Sequence, residues 1–115
     1  MNAPPSPLCA LSFPLNAYAR ALELEEGQAE CLHYGLHDTA DMPLVAAQRR
    51  STDLLWRHLP PPCRLLEVGV GLGSLLERLN AAGYSAQGIE PDPAHLACAR
   101  MRHGNALPAA CGRFE

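Results

Sequence analysis

Glycine occupies every second position in one short segment of the chain, Glu67-Val68-Gly69-Val70-Gly71-Leu72-Gly73. The segment follows an apolar run at residues 65–68 and precedes a stretch, residues 74–82, in which leucines repeat with helical spacing. A short apolar run without alternation is typical of a strand buried on both faces of a parallel sheet. The segment therefore predicts a strand that turns through glycines into a helix, as the units of an α/β sheet do.

The sequence that follows predicts a second unit of the same kind. Residues 86–90 form a second short strand, and Asp92 is placed to cap a helix that begins at Pro93 and ends at Gly104. Strand, helix, strand and helix make a βαβα unit, whose two strands are parallel and joined by a right-handed crossover. The last helix runs almost directly into Gly104, so we expect little or no room for an ordinary third strand.

The N-terminal half has a different pattern. Residues 1–15 contain four prolines and predict a disordered arm. Residues 16–62 predict a helical cap, with one helix at about 17–26, capped by Asn16, and a second at about 43–59 that Asp41 precedes and Pro60-Pro61-Pro62 terminates. Residues 63–115 then form the α/β part of the chain.

Composition restricts the class of protein. The chain has 115 residues, of which 48% are hydrophobic, and a formal net charge of −3. These values predict one small globular domain and argue against a general nucleic-acid binder. No apolar run reaches the ~18–20 residues of a membrane span. The five cysteines form no C-x-x-C pair and the five histidines no ligand cluster, so we expect no disulfide framework, no metal site and a cytoplasmic location.

Two acidic residues accompany the glycines. Glu90 closes the second strand 17 residues after Gly73, at the sheet edge where a carboxylate can accept hydrogen bonds from both hydroxyls of a ribose. Glu67 precedes the first glycine. A dinucleotide fingerprint, G-x-G-x-x-G, needs its third glycine where this chain has Ser74, and a carboxylate at Glu67 opposes a pyrophosphate. The pattern favours a nucleoside site for a cationic ligand.

The pattern E-x-G-x-G-x-G resembles the first motif of the class I S-adenosylmethionine-dependent methyltransferases. Gly88-Ile89-Glu90-Pro91-Asp92 is similar to the family's second-strand acidic motif, and Gly104-Asn105-Ala106-Leu107-Pro108 to the stretch before its fourth strand. The resemblance covers about residues 65–115. It implies a Rossmann-like parallel sheet with S-adenosylmethionine as cofactor, here limited to the first two or three strands because the chain ends where the fourth is expected.

The resemblance also implies roles for individual residues. Glu67 would hold the amino end of the cofactor, and the backbone of Gly69, Gly71 and Gly73 would approach its amino-acid portion. Glu90 would bind the ribose and Asn105 the adenine. The implied reaction is methyl transfer to a small-molecule acceptor, with no nucleic acid or membrane involved. No catalytic base is identified.

Other interpretations stay open at this point. A non-catalytic fragment or interaction module is one, since an incomplete sheet leaves the first strand with an open edge through which the chain would self-associate or bind a partner chain. A dinucleotide-binding domain is the less favoured alternative. For single residues, the glycine loop can be a plain tight turn, Glu67 a solvated strand-end charge, and Asn105 a turn residue.

Overall fold

The computed structural model describes residues 7–115. A short 3₁₀ helix comes first, at Pro7–Ala10. Seven further elements follow in chain order: α1 (Leu15–Glu26), α2 (Leu44–Arg57), β1 (Arg64–Val68), α3 (Ser74–Ala81), β2 (Ser85–Glu90), α4 (Pro93–His103) and β3 (Ala109–Cys111). Within the described residues, no helix has the length and apolar character needed to cross a membrane.

The three strands form one parallel sheet in the order β1-β2-β3. The βαβα unit expected from the sequence is therefore confirmed, as is the α/β class. As expected, no strand lies between α4 and Gly104. A third strand of only three residues comes after Pro108, where Gly88, Ile89 and Glu90 of β2 pair with Ala109, Ala110 and Cys111. The stretch from Gly104 to Pro108 thus leads into the third strand and not into a fourth.

Only one face of the sheet is covered by helices. The helices α3 and α4 contact each other, and both pack against β2 in one apolar cluster. Leu65, Ala86 and Gly88 lie on that face, whereas Leu66 and Val68 on the other face keep 53% and 55% of their surface exposed. The expectation that β1 is buried on both faces is wrong, because no described element covers its second face.

The helix ends follow the local sequence signals. Asp92 caps α4, accepting a hydrogen bond from the Ala94 backbone N–H at 2.9 Å, and Pro93 is the first residue of that helix. Gly27 ends α1 in the left-handed conformation, which glycine adopts without strain. Asn16 does not cap α1, which begins one residue earlier at Leu15.

The N-terminal segment differs from the expected disordered arm. Residues 1–6 lie outside the described residues. From residue 7 onward the chain is ordered, and Leu8 and Leu11 are buried against Ala19 and Leu22 of α1. The two leucines lie three residues apart, so one turn of 3₁₀ helix presents both to the same apolar surface. Leu72 of the glycine segment also joins this core, which fixes the N-terminal helices against the sheet.

One loop between α1 and α2 is held by a buried side chain. Gln48 of α2 is fully buried, and its Nε2 donates to the carbonyl oxygens of Cys31 and His33 at 3.2 and 2.8 Å and to the Tyr18 hydroxyl at 3.2 Å. Gly35 lies so close to α2 that a Cβ there would fall 2.5 to 2.7 Å from atoms of Ala47 and Gln48. The loop therefore packs directly against the backbone of α2.

Candidate functional site

The glycine segment forms a tight loop at the carboxyl end of β1. Gly69, Gly71 and Gly73 have φ angles of 83°, 59° and 84°, a region that residues with a side chain rarely adopt. At Gly73 the space is also limited, because a Cβ would lie 3.0 Å from His103 and 3.1 Å from Ala99. The alternation of glycines is thus required by backbone conformation, and at Gly73 by close packing against α4.

Glu90 lies beside this loop, as the sequence predicts. The side chain is 4% exposed, and its two oxygens accept hydrogen bonds from the backbone N–H groups of Gly71 and Asp92 at 2.8 and 2.9 Å. His95 Nδ1 is 3.6 Å from the same carboxylate. The structure therefore brings the acid of β2 and the glycine loop of β1 into direct contact at one edge of the sheet.

Glu67 lies on the same face of the sheet as Glu90, with Gly88 opposite it in the β1–β2 register. Its Oε2 is buried and has no hydrogen-bond partner among the described residues. Burial, and after it the nearby charge of Glu90, raise the pKa of the Glu67 carboxyl to about 7. Glu67 is therefore an acid that lacks a counterion rather than a solvated strand-end charge.

A cavity of about 1190 Å³ opens over the loop and both acids. One side, which we call the sheet wall, consists of the glycine loop with Glu67 and Glu90 and the α4 side chains His95, Arg102 and His103. The opposite side, the helical wall, consists of residues 30–34 and the α2 side chains between residues 49 and 55. Ser74 joins the walls by donating to the Glu30 carbonyl oxygen at 2.8 Å.

Polar atoms without partners are concentrated in the sheet wall. Four buried side-chain atoms of the described residues lack a hydrogen bond, and three of them, Glu67 Oε2, His95 Nε2 and His103 Nε2, belong to residues that line this cavity. Each unmatched buried polar group costs about 1–3 kcal/mol unless a ligand or water supplies the missing partner. The concentration of these atoms in one cavity is therefore a sign of a binding site.

The two histidines were not selected from the sequence. His95 lies between Glu90 and Asp92, with its Nε2 3.5 Å from Asp92 Oδ2, and His103 pairs through Nδ1 with Glu77 of α3. Sequence spacing does give a clue, because positions 95 and 103 are eight apart and fall on neighbouring faces of one helix. The glycine loop selects that face by packing on Ala99 and His103.

The structure does not bring Asn105 to the site. Asn105 is exposed in the turn between α4 and β3 and is not among the residues lining the cavity. Its assignment rested on the similarity of Gly104–Pro108 to a stretch that precedes a fourth strand, whereas here the stretch precedes β3, the third strand. Of the six residues proposed from the sequence, Glu67, Gly69, Gly71, Gly73 and Glu90 lie together, and Asn105 lies apart.

Comparison with known proteins gives no assignment. No protein-family model matches the chain, and no curated protein sequence matches it. Across residues 7–115, no group of three or more His, Cys, Asp and Glu side chains is arranged to hold a metal ion. Function must therefore be argued from the geometry of the cavity.

Proposed function

We propose that this chain is the cofactor-binding part of an S-adenosylmethionine-dependent methyltransferase that acts on a small-molecule acceptor. The observation that carries the proposal is the unpartnered Glu67 carboxylate in the cavity wall beside a glycine loop and a second acid. A buried carboxylate without a counterion is matched by a cationic ligand. S-adenosylmethionine carries an ammonium and a sulfonium, and its ribose hydroxyls suit Glu90.

The chain's own residues supply binding and alignment in this proposal. Glu67 accepts a hydrogen bond from the ammonium group, and the backbone of Gly69 to Gly73 allows close approach to the amino-acid portion. Glu90 accepts from the ribose hydroxyls, as its position beside Gly71 permits. The cofactor supplies a methyl group already activated on sulfur, so the protein's task is to hold an acceptor in line and exclude water.

The helical wall supports an acceptor position on the other side of the cavity. Residues 30–34 and the α2 side chains Thr52 and Leu55 offer a mixed polar and apolar surface there. The proposal involves no nucleic acid, no membrane and no metal, and it keeps the cytoplasmic location expected from the cysteine pattern. Asn105 has no part in it.

The same carboxylates disfavour a dinucleotide. A pyrophosphate placed over the glycine loop would face Glu67 and Glu90, whose charges already act on each other. Like charges at short range in a partly buried site cost several kcal/mol at an effective dielectric constant of about 20. The cavity is thus better suited to a cationic nucleoside derivative than to NAD.

Isothermal titration calorimetry with S-adenosylhomocysteine and with NAD tests the proposal. We expect heat only with S-adenosylhomocysteine, and a loss of affinity of about 10-fold or more in Glu90→Gln, which keeps the volume but loses the charge that accepts two hydroxyls. Glu25→Gln, on the exposed surface of α1, is the matched control and should bind as the unmodified chain does. Equal binding of NAD, or unchanged affinity in Glu90→Gln, would contradict the site assignment.

A second candidate function rests on the free edge of β1. This strand pairs only with β2 among the described strands, and Leu66 and Val68 are more than half exposed beside that edge. An unpaired apolar strand is a template for pairing with another chain, which favours an interaction module that self-associates or binds a partner chain. Sedimentation equilibrium separates the two: a monomer that binds S-adenosylhomocysteine contradicts the module, and an oligomer that binds no nucleoside supports it.

A further inference from the structure

One pair of side chains in the cavity has no part in the binding of the cofactor proposed above. His103 Nδ1 lies 2.5 Å from Glu77 Oε2, and both residues line the cavity. The His103 side chain is 14% exposed and the Glu77 side chain 59% exposed. A largely buried imidazole of α4 is thus held by a carboxylate of α3, and we call these two residues the dyad.

The dyad determines which nitrogen of His103 carries the proton. An ionised carboxylate only accepts hydrogen bonds, so His103 Nδ1 must donate to Glu77, and Nε2 of the neutral ring then carries the lone pair. This Nε2 is buried, and no described residue is its hydrogen-bond partner. A carboxylate that holds an imidazole in one tautomer, with the other nitrogen free, is the arrangement of a histidine general base.

The dyad lies near the point where the two walls of the cavity meet. Gly73 packs against the His103 ring, and the next residue, Ser74, donates to the carbonyl oxygen of Glu30 in the helical wall at 2.8 Å. Glu77 follows about one turn later in α3. The proposed function puts the cofactor along the sheet wall and the acceptor along the helical wall, so the dyad is close to the place where the two ligands meet.

A base at this place serves one class of acceptor best. A neutral amine attacks a methylsulfonium through its own lone pair, and an aromatic thiol ionises in water at about pH 8, so neither needs a base in contact. An aliphatic hydroxyl is too weak an acid for an imidazole to deprotonate. A phenolic hydroxyl, with a pKa of about 10 in water, lies between these limits. The chemistry of the dyad therefore selects a phenol.

We propose that His103, oriented by Glu77, is the general base that removes the proton of a phenolic acceptor during methyl transfer. The inference rests on the proposed function. As the phenol oxygen forms its bond to the methyl carbon, the bond from that carbon to sulfur breaks and its electron pair stays on sulfur, while the hydroxyl proton moves to His103 Nε2. The products are an aryl methyl ether, S-adenosylhomocysteine and a protonated imidazole, whose charge Glu77 balances.

The tautomer of His103 is measured without any ligand. Two-bond ¹⁵N–¹H correlation spectra of the histidine-labelled chain at about pH 8 should place the proton on Nδ1. In Glu77→Gln the amide group donates to Nδ1, so the proton should move to Nε2. Asp38→Asn is the matched control, because Asp38 is a similarly exposed carboxylate that pairs with Arg50 outside the cavity, and it should leave His103 unchanged. A proton on Nε2 in the unmodified chain would overturn the inference.

Two probe acceptors of one shape then separate proton transfer from positioning. Phenol needs the base, whereas thiophenol is ionised without it, and the small size of both limits steric effects. With S-adenosylmethionine, Glu77→Gln should slow methylation of phenol about 10²- to 10⁴-fold and of thiophenol less than about threefold. Asp38→Asn should slow neither, and Glu77→Asp, which keeps a carboxylate, should retain part of the phenol rate.

The outcomes distinguish the inference from the proposed function. Equal slowing of both probes in Glu77→Gln would show that the dyad only maintains the shape of the site, and would overturn the inference. A chain that binds S-adenosylhomocysteine but does not methylate phenol would also overturn it, while the proposed function stands. A chain that binds no S-adenosylhomocysteine would overturn the proposed function, and the inference with it.

Discussion

The two walls of the cavity differ in whether their polar groups have hydrogen-bond or ion-pair partners within the protein. In the helical wall, Glu30 pairs with Arg49, and the carbonyl groups of Cys31 and His33 accept from Gln48. In the sheet wall, Glu67 Oε2, His95 Nε2 and His103 Nε2 are buried without hydrogen bonds. Gln48 Oε1, behind the helical wall, is also buried without a hydrogen bond, but Gln48 does not line the cavity. Among the lining residues, the difference is whether the protein itself supplies the partners.

We infer that polar groups with partners inside the protein maintain the fold, whereas those without partners bind a ligand. A satisfied buried polar group contributes about 0.5–1.5 kcal/mol to stability, whereas an unsatisfied one costs about 1–3 kcal/mol. We infer that the helical wall is chiefly structural, and that the sheet wall accepts a stability cost at the binding site. Substitutions in the helical wall should then change stability first, and substitutions in the sheet wall should change binding first.

The largest expected effect is in the loop that continues from the helical wall and packs on α2. Gly35→Ala places a methyl group 2.5 Å from the Ala47 Cβ and 2.7 Å from the Gln48 backbone nitrogen, so loop and helix must move apart. The hydrogen bond from Leu36 N–H to the Ala47 carbonyl oxygen, 2.9 Å long, would be lost or weakened as well. We expect the free energy of unfolding in urea to fall by about 2–3 kcal/mol.

Gly112→Ala is the matched control for this change. Gly112 has no atom within 4 Å of a built Cβ and no positive φ angle, so the substitution should alter stability by less than about 0.5 kcal/mol. An equal fall in the free energy of unfolding for the two variants would show that the loop does not pack closely on α2.

The sequence predicted the elements of the sheet wall closely because their signals are local. Asp92 and Pro93 fix the start of α4, and the glycines fix the turn after β1 whatever surrounds them. Glu67 and Glu90 follow from the same logic, since the carboxyl ends of adjacent parallel strands share one edge of a sheet. The helices of the cap were predicted to within about three residues for the same reason.

What the sequence did not predict depends on contacts between distant residues. β3 is only three residues long and has no apolar alternation, so its pairing with β2 alone identifies it. Because Asn105 lies in the turn before β3, it does not line the cavity. Leu8 and Leu11 join the core through contacts with α1. The surrounding prolines had predicted a disordered arm instead. His103 became a candidate only because the glycine loop packs on one face of α4.

A smaller effect on stability, with opposite sign, is expected in the sheet wall. Because burial raises the pKa of Glu67 to about 7 from its ordinary value of 4.5, the native state retains a proton that the unfolded state releases between these values. The stability that this proton provides is complete below the unfolded pKa and is lost as the pH rises through the folded pKa. Glu67→Gln mimics the protonated carboxyl at every pH.

We therefore expect Glu67→Gln to be more stable than the unmodified chain by about 1–2 kcal/mol near pH 8, after allowance for partial solvent screening, and equally stable below about pH 4.5. Urea unfolding at the two pH values measures the difference. If the proposed function holds, the same variant should bind S-adenosylhomocysteine less tightly near pH 8, because it lacks the anion assigned there to the ammonium group. A variant that is destabilised near pH 8 would show that Glu67 has a partner in the folded protein.

The smallest expected effect concerns the paired arginine of the helical wall. Arg49 lines the cavity, but its partner Glu30 already satisfies its charge, and the Arg49 side chain is 59% exposed. An exposed ion pair contributes about 0.2–1 kcal/mol, so Arg49→Met should lower stability by less than about 1 kcal/mol. Its affinity for S-adenosylhomocysteine should change less than about twofold, against the 10-fold or greater loss in Glu90→Gln of the sheet wall. Calorimetry on both variants under one buffer condition makes the comparison direct. If Arg49→Met loses affinity as strongly as Glu90→Gln, proximity to the cavity decides ligand binding, and the contrast between the two walls is wrong.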